Sequence, residues 1–88
     1  MIEKDIQVIN SLGIHARPAS MIVQTAIKFK SSISLIKDGA SADAKSIMSV
    51  MMLAAACNST VTVRATGPDE GEAVNAIASL FDQKFNEE

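Results

Sequence analysis

Leu12-Gly13-Ile14-His15-Ala16-Arg17-Pro18-Ala19-Ser20 marks a corner where a strand gives way to a helix, and the chain's single histidine stands on that corner. Ahead of it, Ile2, Ile6 and Val8 alternate with Glu3, Asp5 and Gln7, a period-two strand with Lys4 as its exception. Behind it, from Ala16 to about Phe29, the residues Ala19, Ile22, Val23, Ala26, Ile27 and the stem of Lys30 recur at helical spacing, with Ser20, Gln24 and Lys28 toward solvent. Lys28 and Lys30 suit the negative end of that helix. Pro18 fits a first helical turn, where a missing N–H would have had no intrahelical partner. The helix therefore begins near Ala16, and His15 falls at or beside its N-cap.

That placement has chemical consequences. The backbone N–H groups of Ala16 and Arg17 and the positive end of the helix dipole lie next to the imidazole, which makes an anion site and disfavours imidazolium. A neutral imidazole keeps a lone pair for nucleophilic attack. Arg17 adds a planar, permanently charged fork suited to phosphate oxygens. A histidine at a helix start is more often a plain polar cap, so position alone does not decide the matter. Gly13 is open to two readings, a turn or a close approach of backbone to a ligand.

Outward from the corner, Ser32 to Lys37 and Ala40 to Asp43 read as an antiparallel hairpin around Asp38-Gly39. Thr60 to Thr66 alternates cleanly, with Val61, Val63 and Ala65 on one face and Thr60, Thr62, Arg64 and Thr66 on the other. A last helix follows Gly67-Pro68. Asp69 and Glu72 have capping-box spacing there, and Ala73, Val74, Ile77, Ala78, Phe81 and Phe85 form one apolar stripe. Gly71 weakens its first turn and has no assignable role. The order strand, helix, strand, strand, short helix, strand, helix (βαββαβα) points to an α+β fold, an antiparallel sheet with helices gathered on one face. Periodicity alone also permits a ferredoxin-like arrangement.

Ser46 precedes Ile47-Met48-Ser49-Val50-Met51-Met52-Leu53, a run with little polar interruption. The simpler expectation is that Ser46 is an N-cap and the methionines pack inside. The other is an exposed, adaptable docking patch, since methionine suits a surface that must fit several partners.

Composition narrows the function classes. At 88 residues the chain, 1–88, makes one small domain, too short for a deep cleft with its own lid. Eight basic and ten acidic residues give a net charge of −2, and with no Trp, no Tyr and three Phe there is no basic run or stacking platform for nucleic acid. Cys57 is the only cysteine, which excludes an internal disulfide or a cysteine-built metal site and suits a reducing cytoplasm. It reads as a small, semi-buried apolar residue. Glu3, Lys4 and Asp5 interrupt the start as no signal peptide would, and no apolar run approaches a membrane span.

The motif Gly13-Ile14-His15-Ala16-Arg17-Pro18 resembles the active site of the histidine-containing phosphocarrier (HPr) family of the bacterial phosphoenolpyruvate-dependent phosphotransferase system. Chain length, element order, Lys45-Ser46-Ile47-Met48 and Ala65-Thr66-Gly67-Pro68 extend the resemblance over essentially the whole chain. It implies an open-faced sandwich, with three helices on one face of a four-stranded antiparallel sheet. It also implies a carrier rather than an independent enzyme, which takes phosphoryl from enzyme I onto His15 and passes it to an enzyme IIA domain without cofactor or metal. Arg17 would clamp the phosphate beside the backbone of Ala16 and Arg17. Ser46 matches a regulatory phosphorylation site addressed by a serine kinase/phosphorylase, and Ile47 and Met48 match residues that recognise partners. Met51, Ser20 and Gln24 are further docking residues, and a monomer suits a shuttle.

Leu12, Ala42-Asp43-Ala44, Thr66-Gly67-Pro68 and Leu80-Phe81 are instead similar to the nitrogen-branch paralogue, whose output is regulation rather than sugar uptake. A hydrolase with His15 as general base and Ser20 or Asp43 recruited from elsewhere is the remaining class. No nucleophile stands in an interpretable motif, and one small corner offers little to exclude water.

Overall fold

The alternating stretch Thr60–Thr66 is the strand around which the sheet is assembled. The computed structural model describes residues 1–53 and 55–86. It contains strands β1 (Ile2–Gln7), β2 (Ser32–Lys37), β3 (Ala40–Asp43) and β4 (Thr60–Thr66), helices α1 (Ala16–Ala26), α2 (Ile47–Met52) and α3 (Glu70–Asp82), and a closing 3₁₀ turn at Lys84–Asn86. The sheet order is β1-β4-β2-β3 and every pairing is antiparallel, with Ile6 opposite Val61, Leu35 opposite Val63 and Leu35 opposite Ala42. The strand order excludes a ferredoxin-like sheet, whose first strand lies between two others, because β1 here is an edge strand paired with β4 alone. The result is the α+β open-faced sandwich of four strands and three helices that the resemblance implies.

One face of the sheet is dry. Ile6, Ile33, Leu35, Ala42, Val61, Val63 and Ala65 meet Ala19, Ile22 and Ala26 of α1, Val50 of α2 and Ala73, Val74, Ile77, Ala78 and Phe81 of α3 in one core. The open face is polar and laced across strands: Thr62 Oγ1 donates to Asp5 Oδ1 at 2.6 Å, and Arg64 pairs with the facing Glu3. Lys4 breaks the alternation of β1 for a positional reason. It shares the inward parity of Ile2 and Ile6, yet β1 is an edge strand and Lys4 is exposed. A lysine on an edge also discourages pairing with another chain.

Three local expectations need correction. First, α1 ends at Ala26 rather than near Phe29, so Lys28 and Lys30 lie in the following turn and Ile27 is 60% exposed. The cation at that end is Lys45, whose Nζ donates to the Phe29 carbonyl at 2.9 Å. Second, the Asp69–Glu72 capping box does not form. The Asp69 carboxylate accepts instead from the Lys30 N–H (3.0 Å), the Ser31 N–H (2.9 Å) and the Ser31 hydroxyl (2.5 Å), binding the start of β2 to the start of α3. The Ser31 hydroxyl and then the Lys30 amide hold the Asp69 carboxyl below its usual value. Glu70 does the local work there: it accepts from the Gly67 N–H and pairs with the Met1 amine at 2.9 Å, and these contacts lower its carboxyl too, the amine most. Third, Phe85 lies beyond α3. A left-handed backbone at Phe85 (φ 53°, ψ 29°) folds its ring back against Phe81, with centroids 4.9 Å apart in an edge-to-face contact. Its burial matches the apolar stripe, but the route to it is a reversal rather than another helical turn.

Candidate functional site

The first helical hydrogen bond of α1 runs from the Ala19 N–H to the His15 carbonyl, 2.9 Å. Pro18, the third helical residue, has no N–H, so the amides of Ala16 and Arg17 are the donors left at the open end. His15 is the N-cap, with extended backbone (φ −105°, ψ −164°), and its ring does not cap the helix. The ring is half-buried while Ala16 and Arg17 are exposed. An imidazole, a guanidinium and two amides thus share one helix terminus.

What holds the corner lies far away in sequence. Ile14, a core residue, donates its N–H to the Ala55 carbonyl at 2.9 Å. Gly13 has φ +69°, and a Cβ there would stand 2.4 Å from the Ala55 oxygen and 2.9 Å from the Ala56 Cα. The glycine therefore serves a close approach between two pieces of this chain's own backbone, combined with a turn, rather than an approach to a ligand. The turn is tied at both ends: the Gly13 N–H donates to the Asn10 carbonyl (3.1 Å), and the Asn10 side-chain amide donates to the Gly13 carbonyl (2.6 Å).

One turn further along α1, the Gln24 side-chain amide donates to the Ser20 hydroxyl at 3.2 Å, so these two form a polar strip on the same helix as Arg17. Ser46 is the N-cap of α2, its Oγ accepting from the Ser49 N–H at 3.3 Å. The turn into α2 is fixed by the Asp43 carboxylate, which accepts from the Lys45 N–H at 2.9 Å.

Methionines packing inside is not what α2 shows. Val50 and Leu53 are buried, whereas Met48 and Met52 are 68% and 79% exposed and Ile47 and Met51 are 40% exposed. Six helical residues offer one inward position per turn, and the others have no core to enter. Because α1 and α2 pack together, this apolar surface adjoins the helix that carries the histidine. Leu12, Ile27 and Met52 are exposed apolar residues that sequence periodicity did not single out as surface. Cys57 is half-buried. Among the described residues no three His, Cys, Asp or Glu are grouped to hold a metal ion, and no helix is long and apolar enough to cross a membrane.

Fold and corner together define a class: a small open-faced sandwich with a histidine and an arginine at the open end of its first helix. The family described as "PTS HPr component phosphorylation site" matches residues 2–83. The phosphocarrier protein HPr of Treponema pallidum is 49% identical over 88 residues, the full length of both chains. The crystal structure of HPr from Thermoanaerobacter tengcongensis superposes with a TM-score of 0.96 at 45% identity, covering 100% of this chain and 99% of that one. An HPr dimer from the same organism matches at a TM-score of 0.77, also at 45% identity, covering 97% of this chain and 98% of that one. The chain belongs to the HPr family, the phosphocarrier proteins of the phosphotransferase system.

Proposed function

We propose that the chain, 1–88, acts as one carrier unit in which His15 takes a phosphoryl group from phosphorylated enzyme I and hands it to an enzyme IIA domain. The observation that carries this reading is His15 as N-cap with its ring outside the capping role, beside the amides of Ala16 and Arg17. In the forward step the Nδ1 lone pair attacks phosphorus. An N–P bond forms as the bond from phosphorus to the donor's leaving atom breaks, and the other ring nitrogen keeps its proton. The Arg17 guanidinium and the two amides neutralise the oxygens of the transferring group, so positioning and electrostatics supply the catalysis. Transfer to the acceptor runs the same exchange in reverse. The reaction needs no cofactor or metal from this chain.

Docking rests on Ser20 and Gln24 from α1 and on Ile47, Met48 and Met51 from α2. Methionine side chains adapt to more than one partner, as a shuttle requires. Ser46 is the regulatory site for a serine kinase/phosphorylase: a phosphate there puts roughly −2 charge beside that apolar surface. A monomer in the cytoplasm fits brief contacts with successive partners, although the HPr of Thermoanaerobacter tengcongensis forms a dimer in one crystal.

Incubation with phosphoenolpyruvate and enzyme I, followed by intact mass measurement and acid treatment, tests the reading. The expected result is a gain of one phosphoryl group that is lost in acid and absent from His15→Ala. No gain with active enzyme I overturns it.

A further inference from the structure

Leu12 is 73% exposed at the tip of the turn Asn10–Gly13. Scattered surface leucines need no explanation. Turn tips, however, favour Gly, Asn, Asp, Ser and Pro, and this tip is unusually well held. Both ends of the turn are tied by the Asn10–Gly13 hydrogen bonds, and the residue after it is bonded to Ala55. Gly13 is wedged against Ala55 and Ala56, so the turn cannot move without displacing that segment of backbone. The chain therefore presents an aliphatic side chain on a rigid mount three residues before the phosphoryl-accepting histidine, with the exposed Met48 and Met51 on the helix packed beside α1. An aliphatic group that touches little of its own protein and is fixed before binding loses little freedom on docking.

We infer that Leu12 is a specificity-determining residue of the phosphoryl-transfer complex, an aliphatic anchor that enters an apolar recess beside the reacting group of the phosphorylated donor. This rests on the carrier reading of His15. The recess on the donor would be lined by aliphatic or methionine side chains, and a polar replacement at position 12 would leave it unfilled. Leu12 acts by positioning the donor and takes no part in the chemistry, so its effect falls on complex formation.

The test measures phosphoryl transfer from enzyme I, charged with phosphoenolpyruvate, to the wild-type chain, Leu12→Ser and Leu12→Met, each at varied carrier concentration. Removing an aliphatic group from a fitted recess is expected to raise KM about tenfold with kcat within twofold, and Leu12→Met is expected to restore most of the loss. Leu12→Ser still takes one phosphoryl group at long times, and its thermal unfolding is unchanged because the side chain is exposed. Equal KM for wild type and Leu12→Ser overturns the inference and leaves the carrier reading intact. A fall in kcat with KM unchanged also overturns it, since that places Leu12 in the chemistry or in the setting of His15. If the wild-type chain accepts no phosphoryl group, both readings fall together.

Discussion

Gly13→Ala is the substitution that most directly probes how the corner is built. Two costs apply. An L-residue held in the left-handed region costs about 1 to 2 kcal/mol. The new Cβ would also lie 2.4 Å from the Ala55 oxygen, which is backbone and cannot swing aside as a side chain would. To relieve that overlap the two segments must separate, which breaks the bond from the Ile14 N–H to Ala55, a further loss of about 0.5 to 1.5 kcal/mol. The expected total is about 1.5 to 3.5 kcal/mol, a fall in Tm on the order of 10 °C for a chain of this size. With no Trp or Tyr, unfolding is followed by circular dichroism in urea. Gly39→Ala is the control, because Gly39 has φ +82° but nothing within 4 Å of the added carbon. It carries the backbone cost alone, and the difference between the two variants isolates the overlap. Gly13→Ala is also expected to slow phosphoryl acceptance at temperatures where it is fully folded, since Ile14 and His15 move with Gly13. Equal destabilisation of the two variants, or a loss at Gly13 below about 0.5 kcal/mol, would refute the claim that this contact sets the corner.

Three further outcomes follow from the same geometry. Ser46→Asp keeps an N-cap acceptor for the Ser49 N–H, so stability changes by less than about 1 kcal/mol, while transfer from enzyme I slows. Unchanged transfer kinetics would remove Ser46 from regulation of docking. The Asp69 carboxyl is held below its ordinary value by Ser31 and Lys30, so its share of stability is complete above the unfolded carboxyl value near 3.9 and is lost as pH falls through the lower folded value. Urea midpoints between pH 7 and pH 2 are expected to fall less steeply for Asp69→Asn than for wild type in that acid range, and equal slopes would count against the clasp. Gly71→Ala is expected to gain about 0.5 to 1 kcal/mol, because Gly71 lies in the first turn of α3 and the added carbon meets only Ile2 Cδ1 at an ordinary 3.5 Å. A loss of stability on that change would show that the turn needs glycine.

Period and turn chemistry made most of the fold legible. Val61, Val63 and Ala65 alternate because β4 has one dry and one wet face, and Asp38-Gly39 joins β2 and β3 as its composition requires. The corner was legible for a similar reason, since Pro18 and the helical period behind it leave His15 as the N-cap. What escaped depends on partners remote in sequence. Asp69 looks like a local cap until Lys30 and Ser31 arrive beside it, and Lys45 reaches the end of α1 only once α2 has docked. Ala55, which fixes Gly13, carries no signal of its own. The methionines were ambiguous because an apolar run states how much hydrophobic surface exists and not how much core is left to receive it. Phe85 has the spacing of a helix yet arrives by a left-handed reversal, a choice made by Phe81 and the core rather than by local propensity.

The pairing of β1 with β4, Ile2 opposite Ala65 and Gln7 opposite Thr60, bears on when in the life of the chain His15 acquires its setting. Closing that loop costs more entropy than closing a hairpin, and it cannot begin until β4 has left the ribosome. The ties from Ile14 to Ala55 and from Val8 to Ser59 wait on the same event. His15 is synthesised early and positioned late. A nascent or truncated chain therefore carries a histidine without a mount, and under the proposed carrier function only a chain folded through β4 would accept a phosphoryl group.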